Sequence, residues 1–255
     1  MLVLLPPSET KRAGGDGPPL DLSSLSFPAL TARRRAAVSA LVELSRDEDA
    51  AVSALKLGPR LVDEVERNRT LRRTATMPAI DRFTGVLFDA LDAGSLTSDA
   101  RELARTSVVV HSALFGLLGA LDPVPAYRLS ADSRLRPGPR AAPRSLLSHW
   151  AAPVTKELAA VGGPILDLRS ESYVALGPVP EGVESAYVRV VTDTGDGSGT
   201  RRALNHFNKA AKGRLVRDFL MNAVDFPSID ALLDWAALAG WNLQRTSPEE
   251  LELVV

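Results

Sequence analysis

Six cations and one acid fall in Arg201–Leu220: Arg201, Arg202, Lys209, Lys212, Arg214 and Arg217 against Asp218. The 255-residue chain as a whole has a formal net charge of −1. A locally basic segment in a mildly acidic chain suits a grip on an anionic group. On a helical wheel Arg202, His206, Lys209 and Lys212 share one broad face. Phe207, Ala210, Ala211, Leu215 and Phe219 cover much of the other side. Such a helix either turns a phosphate-facing stripe outward or simply exposes a solvated basic side, and the pattern leaves both open. Gly213 costs about 1 kcal/mol relative to Ala inside a helix. A close approach of ligand or backbone would account for it, and so would a helix break.

A second set of polar residues follows apolar runs. Ser8, Glu9, Thr10 and Lys11 come after Met1–Leu5, and Arg169, Ser170, Glu171 and Tyr173 come after Ile165–Leu168. Loops leaving buried strands are where α/β proteins place ligand-contacting groups. Converging on one pocket, these residues would suit an enzyme acting on a small phosphorylated or nucleotide-like substrate. Capping is the more common duty of serines such as Ser8 and Ser170. The run Arg67, Arg69, Arg72 and Arg73 is read as a solvated connector, with a second phosphate-contacting patch as the alternative.

Other chemistries have less to work with. The chain has no cysteine, which excludes disulfides, thiolate metal sites and a Cys nucleophile. His111, His149 and His206 lie far apart and form no paired helical spacing. His111, in an apolar run, reads as a satisfied core residue; an iron site of carboxylates and histidines stays a third option. There is no GxxxxGK[ST], no HExxH and no GxSxG. The GDGSG at Gly195–Gly199 reads as a hairpin turn, because no helix opens on it. No catalytic residue, metal ligand or cofactor is assigned.

The elements that must position these groups follow from apolar patterning. Met1–Leu5 is a short buried strand, central in a sheet and ended by Pro6-Pro7. Thr31–Leu44, Asp47–Lys56 and Pro59–Asn68 read as helices. Pro78–Ala93 reads as one more, and Asp99–Arg105 as a helix capped by Thr97 or Ser98. Ser107–Ser112 is a β-branched buried strand, and Leu114–Leu118 a tight turn or short helix. Leu129–Pro143 reads as a surface loop, and Ser145–Val161 as a helix containing Pro153. Strands follow at Ile165–Leu168 and Ala186–Thr192, then a hairpin at Thr194–Thr200 with a return strand at Arg201–Asn205. Helices at Phe207–Val224 and Ser228–Ala239 precede closing strands at Trp241–Gln244 and Leu251–Val255. The alternation predicts an α/β (mixed α+β) fold, one domain over residues 1–255, around a mixed sheet with flanking helices. The N-terminal apolar run is too short for a signal peptide or membrane span, so a cytoplasmic protein is expected.

Six segments, in order, resemble the YaaA family of peroxide-stress-resistance proteins. They are MLVLLPPSETK (Met1–Lys11), RFTGVLFDAL (Arg82–Leu91), SALFGLLGALDPVPAYRL (Ser112–Leu129), SHWAAPVTKEL (Ser148–Leu158), DLRSESY (Asp167–Tyr173) and HFNKAAKGRLVR (His206–Arg217). The resemblance implies a bacterial cytosolic protein with an unusual α/β fold. It also implies survival of peroxide by limiting free iron and oxidative DNA damage. DNA contact through a positively charged cleft, with a helix–hairpin–helix-like element, is implied as well; the partner would be duplex or branched DNA. The matching positions are Pro7 and Lys11; Ser112, Leu114, Gly116, Leu118, Leu121, Asp122, Tyr127, Arg128 and Leu129; and Lys209, Lys212, Gly213 and Arg217. Lys11, Arg128, Lys209, Lys212 and Arg217 become the expected phosphate grips, with Gly116 shaping a turn that offers backbone N–H groups. Ser8, Glu9, Tyr127, Arg169, Ser170, Glu171 and Tyr173 are the expected polar lining. Two departures stand out: FTGVLF at Phe83–Phe88 where the family often has FKGDVY, and Gly119-Ala120 where it often has Arg-Pro.

Overall fold

The computed structural model describes residues 1–136, 138, 141–193, 201–202, 205–222 and 225–255. The chain opens with β1 (Leu2–Leu5) and a short β2 (Gly17–Pro19). Helices α1 (Thr31–Leu44), α2 (Glu48–Ala54) and α3 (Asp63–Thr70) follow, then β3 (Ala75–Pro78), α4 (Ala79–Arg82), α5 (Val86–Leu91) and α6 (Ser98–Ser107). Next come β4 (Val108–Ser112), β5 (Gly116–Gly119) and three short strands, β6 (Pro123–Val124), β7 (Arg134–Leu135) and β8 (Arg144–Ser145). After α7 (Leu146–Ala159) come β9 (Ile165–Asp167), α8 (Glu171–Ala175), β10 (Ser185–Asp193) and β11 (Arg201–Arg202). The chain closes with α9 (Asn205–Met221), α10 (Ile229–Leu238), β12 (Leu243–Ser247) and β13 (Glu250–Val254).

The main sheet runs β12-β13-β10-β9-β1-β4-β5, with β11 paired to β10. Its middle is parallel: β1 pairs with β4 and β9, and β10 with β9 and β13. Antiparallel β5 and β12 close the two sides. This is the expected α/β fold around a mixed sheet. Val3, Leu4 and Leu5 are buried because β1 has a strand on each side and cover on both faces. Side-chain caps begin several helices: Asp47, Thr97, Ser145 and Ser228 accept from the backbone N–H three residues on.

One helix reading changes. Pro78–Ala93 is not one helix, because Gly85 sits at φ 95° and separates α4 from α5. Leu114–Leu118, read as a tight turn or short helix, is the turn with the first part of β5, paired back onto β4. The element there is strand–turn–strand, so the expected helix–hairpin–helix is not formed at this position. The expected hairpin at 194–200 and the side chain of His206 lie outside the described residues.

Helix α9 keeps its course through Gly213. A Cβ on Gly213 would lie 2.2 Å from the Leu87 carbonyl oxygen of α5. Close backbone approach, rather than a helix break, is therefore what this glycine permits. Arg217, one turn on, donates to the carbonyls of Leu91 and Asp92 at 3.0 Å each. It satisfies the exposed carbonyls at the carboxyl end of α5.

Candidate functional site

Strand order decides where polar groups gather. From β1 the chain crosses to β4 on one side, and from β9 it crosses to β10 on the other. Connections leaving adjacent strands in opposite directions open a crevice at their carboxyl ends. The loop after β1 carries Ser8–Lys11, and the loop after β9 carries Arg169 and Ser170 before α8 opens with Glu171 and Tyr173. The Leu168 N–H donates to the Leu4 carbonyl at 2.9 Å, so both loops spring from one point.

Lys11 is at the centre of the first loop, and nearly buried. Its Nζ donates to the carbonyls of Ser8 at 3.0 Å and Glu9 at 3.2 Å, and lies 4.0 Å from the centre of the Tyr127 ring. Burial, then the Arg128 charge, pushes its pKa down to about 7. Arg128 is paired with Glu9, and Ser130 donates to the same carboxylate at 2.9 Å. Tyr127 shares a 2.6 Å hydrogen bond with Ser112, whose Oγ also accepts the N–H groups of Leu114 and Phe115. The Tyr173 ring meets His111 edge-on with 5.7 Å between ring centres, and burial first of all raises its pKa.

Behind the second loop, Arg169 is fully buried. Its Nε and Nη2 donate to Asp167 at 2.9 and 2.6 Å, and its Nη1 donates to Gly177 O and to His111 Nδ1, both at 2.9 Å. A guanidinium has no lone pair to offer, so His111 Nδ1 accepts and Nε2 carries the hydrogen. Burial, then Arg169, holds the His111 pKa well below its ordinary value. His111 Nε2 is buried with no hydrogen-bond partner, and so is Asn208 Oδ1.

Helix α9 descends along this edge. Its Lys212 Nζ donates to Leu168 O at 3.1 Å, immediately beyond β9, and lies 5.3 Å from the Tyr187 ring. At the far end, the Met1 amino group meets Asp225 at the foot of β1. The beginning of α9 therefore lies at the carboxyl edge. Burial pushes Lys212 down to about 8, against the opposing charge of Asp167 and with that of Arg189.

The expected residues thus divide. Lys11, Glu9, Tyr127, Arg128 and Tyr173 gather over the exits of β1 and β4. Arg169 and Lys212 gather behind β9. Ser8 is half-buried and Ser170 and Glu171 are exposed on the rim, with Glu171 3.8 Å from Arg189. Lys209 is exposed while Lys212 is buried, so the single basic face drawn from the helical wheel splits. Arg217 is engaged at α5, away from the edge. Gly116, at φ 68°, is buried; a Cβ there would meet Trp150 at 2.9 Å. Its turn is packed, and two of its N–H groups already bond Ser112, so it offers no cradle for a phosphate. Sequence reasoning assigned no site role to Asp167, Asn208 or Tyr187, and left His111 in the core. Asp167 had a signal, two residues before Arg169 at a strand exit.

FTGVLF lies against the first loop. Lys11 bridges to Phe83, Thr84 Oγ1 donates to Thr10 Oγ1 at 3.1 Å, and a Cβ on Gly85 would lie 3.2 Å from Ser8 Oγ. The departure from the family pattern therefore alters one wall of the crevice.

Fold and site define an α/β protein with a cluster of polar side chains at a topological switch point. The family described as "Peroxide stress protein YaaA" matches residues 1–247, and the chain belongs to it. A UPF0246 protein of Corynebacterium efficiens is 42% identical over 100% of both chains. A UPF0246 protein of Streptomyces coelicolor is 45% identical over 97% of this chain and 94% of its own. A more distant UPF0246 protein, from Polynucleobacter asymbioticus, is 25% identical over 89% of this chain and 88% of its own. Membership supports a role in peroxide stress. Among the described residues, no group of three or more His, Cys, Asp or Glu is placed to hold a metal ion, and no helix is long and apolar enough to cross a membrane.

Proposed function

We propose that the protein serves the peroxide-stress response in the cytoplasm by holding a small phosphorylated or nucleotide-like ligand in the crevice between the exits of β1 and β9. One observation carries this reading: the chain leaving β1 and β9 in opposite directions brings Lys11 and Arg169 to one edge, where Glu9 holds Arg128 and the Leu168 carbonyl holds Lys212. Buried cations with fixed partners suit a compact anion better than a long polyanion, because desolvated charge acts at short range. Calorimetric titration with AMP, with inorganic phosphate as competitor, tests it. Saturable binding weakened by phosphate is expected; no heat of binding at millimolar AMP and low salt would overturn it.

The second reading is contact with DNA phosphates. Exposed Lys209 and Arg214 on α9 support it, together with the family resemblance. Such binding would fall steeply as salt rises and would weaken in Lys209→Ala. Binding of duplex or branched DNA that is unchanged from low to moderate salt would count against it. Under either reading, the protective effect in cells would be a lower burden of iron-dependent oxidative damage. Equal DNA lesion counts after peroxide, with and without the protein, would refute that.

A further inference from the structure

We infer that Lys212 is a reactive amine that condenses with a carbonyl group of the ligand, an inference that rests on the small-ligand reading above. The chain has five lysines. Lys56, Lys156 and Lys209 are exposed, whereas Lys11 and Lys212 are buried at the same sheet edge. The two buried amines differ in their surroundings. Lys11 is enclosed: two carbonyls and the Tyr127 face can take its three protons, so it closes the loop after β1. Lys212 faces the Leu168 carbonyl, the Tyr187 ring and the Asp167 charge. Asn208 lies four residues before Lys212, so the two share a face of α9, and its Oδ1 is buried with no partner. A buried acceptor without a donor costs free energy, and a ligand N–H or O–H would relieve it.

Desolvation supplies the free base: with a pKa of about 8, a large share of Lys212 is unprotonated at mildly alkaline pH. In the condensation the Nζ lone pair attacks the carbonyl carbon and a C–N bond forms. The carbonyl oxygen takes up the two amine protons and leaves as water, and the C=N imine remains. Nothing is oxidised or reduced.

Pyridoxal 5′-phosphate, which joins an aldehyde to a phosphate, is the probe. The full chain is incubated with it at pH 8, the imine is trapped with borohydride, and the labelled peptides are mapped; AMP binding is measured in parallel by calorimetry. Labelling of Lys212 at least tenfold faster than of Lys56, Lys156 or Lys209, and slowed by AMP, is expected. The Lys212→Arg variant, checked for an unchanged melting transition, should lose that labelled peptide; should it not fold, the site preference in the unaltered protein decides. Labelling of Lys212 no faster than of the exposed lysines overturns the inference. If AMP binds while Lys212 is inert, the imine is refuted and the binding reading stands. If Lys212 reacts but AMP does not bind, the reactive amine stands and the nucleotide-like ligand is refuted.

Discussion

The two halves of α9 carry similar residues and do different work. Asn208–Lys212 lies at the carboxyl edge of the sheet, where Lys212 meets Leu168 and Asn208 Oδ1 has no partner. Gly213–Arg217 lies against α5, where Gly213 admits the Leu87 carbonyl and Arg217 caps Leu91 and Asp92. Charge density is a property of the whole segment, but the proposed ligand chemistry belongs to its first half. A buried cation is not in itself a site, as two arginines elsewhere illustrate. Arg34 donates to Phe115 O and Leu117 O, and Arg82 to Arg12 O, Gly14 O, Ala75 O and Val124 O. Both tie loops together through backbone carbonyls, and Arg34 Nη1 is left buried with no hydrogen-bond partner inside that packing.

Substitutions in α9 should separate the halves. Gly213→Ala has the largest expected effect. Helix propensity would favour Ala by about 1 kcal/mol. Forcing a Cβ to within 2.2 Å of Leu87 O should cost more, about 3 kcal/mol by the usual scale of overpacking. Denaturant unfolding should show net destabilisation, and a stabilised variant would mean the α5–α9 approach is looser than described. Arg217→Ala, which frees two carbonyls of α5, should cost about 1 kcal/mol in the same assay and leave AMP affinity unchanged.

Lys212→Met should act mainly on pH dependence. The folded-state pKa of about 8 lies below the ordinary 10.5, so the unfolded chain binds more protons between those values. Stability from this group is therefore full above about pH 10.5 and is lost as pH falls toward 8. Lys11, at about 7, adds a contribution of the same sign over a window reaching lower. Thermal melts from pH 7 to 9.5 should show the unaltered protein gaining stability, and Lys212→Met gaining less. Parallel profiles would contradict the burial of a titrating amine there. Lys209→Ala, at an exposed position, should change stability by less than about 0.5 kcal/mol.

Much of this architecture was legible in the sequence, for identifiable reasons. Continuous apolar patterning located β1, and apolar spacing gave α1 with its ends intact, because both segments bury what they advertise. Polar residues at two strand exits pointed to the crevice, since sheet topology turns sequence position after a strand into spatial proximity. The break at Gly85 was missed because the apolar spacing continues across it while φ turns positive. The split of the basic face was missed because Lys209 and Lys212 look alike until the sheet is placed against one of them. Asp167 and His111 come from separate strands and are joined through Arg169, a meeting that follows from packing alone.

The most direct measurement is calorimetric titration of AMP into the unaltered protein, Lys212→Met and Lys209→Ala under one low-salt condition. The crevice account predicts binding at least tenfold weaker in Lys212→Met, with Lys209→Ala matching the unaltered protein. Equal affinity in all three, or weakening confined to Lys209→Ala, would contradict it.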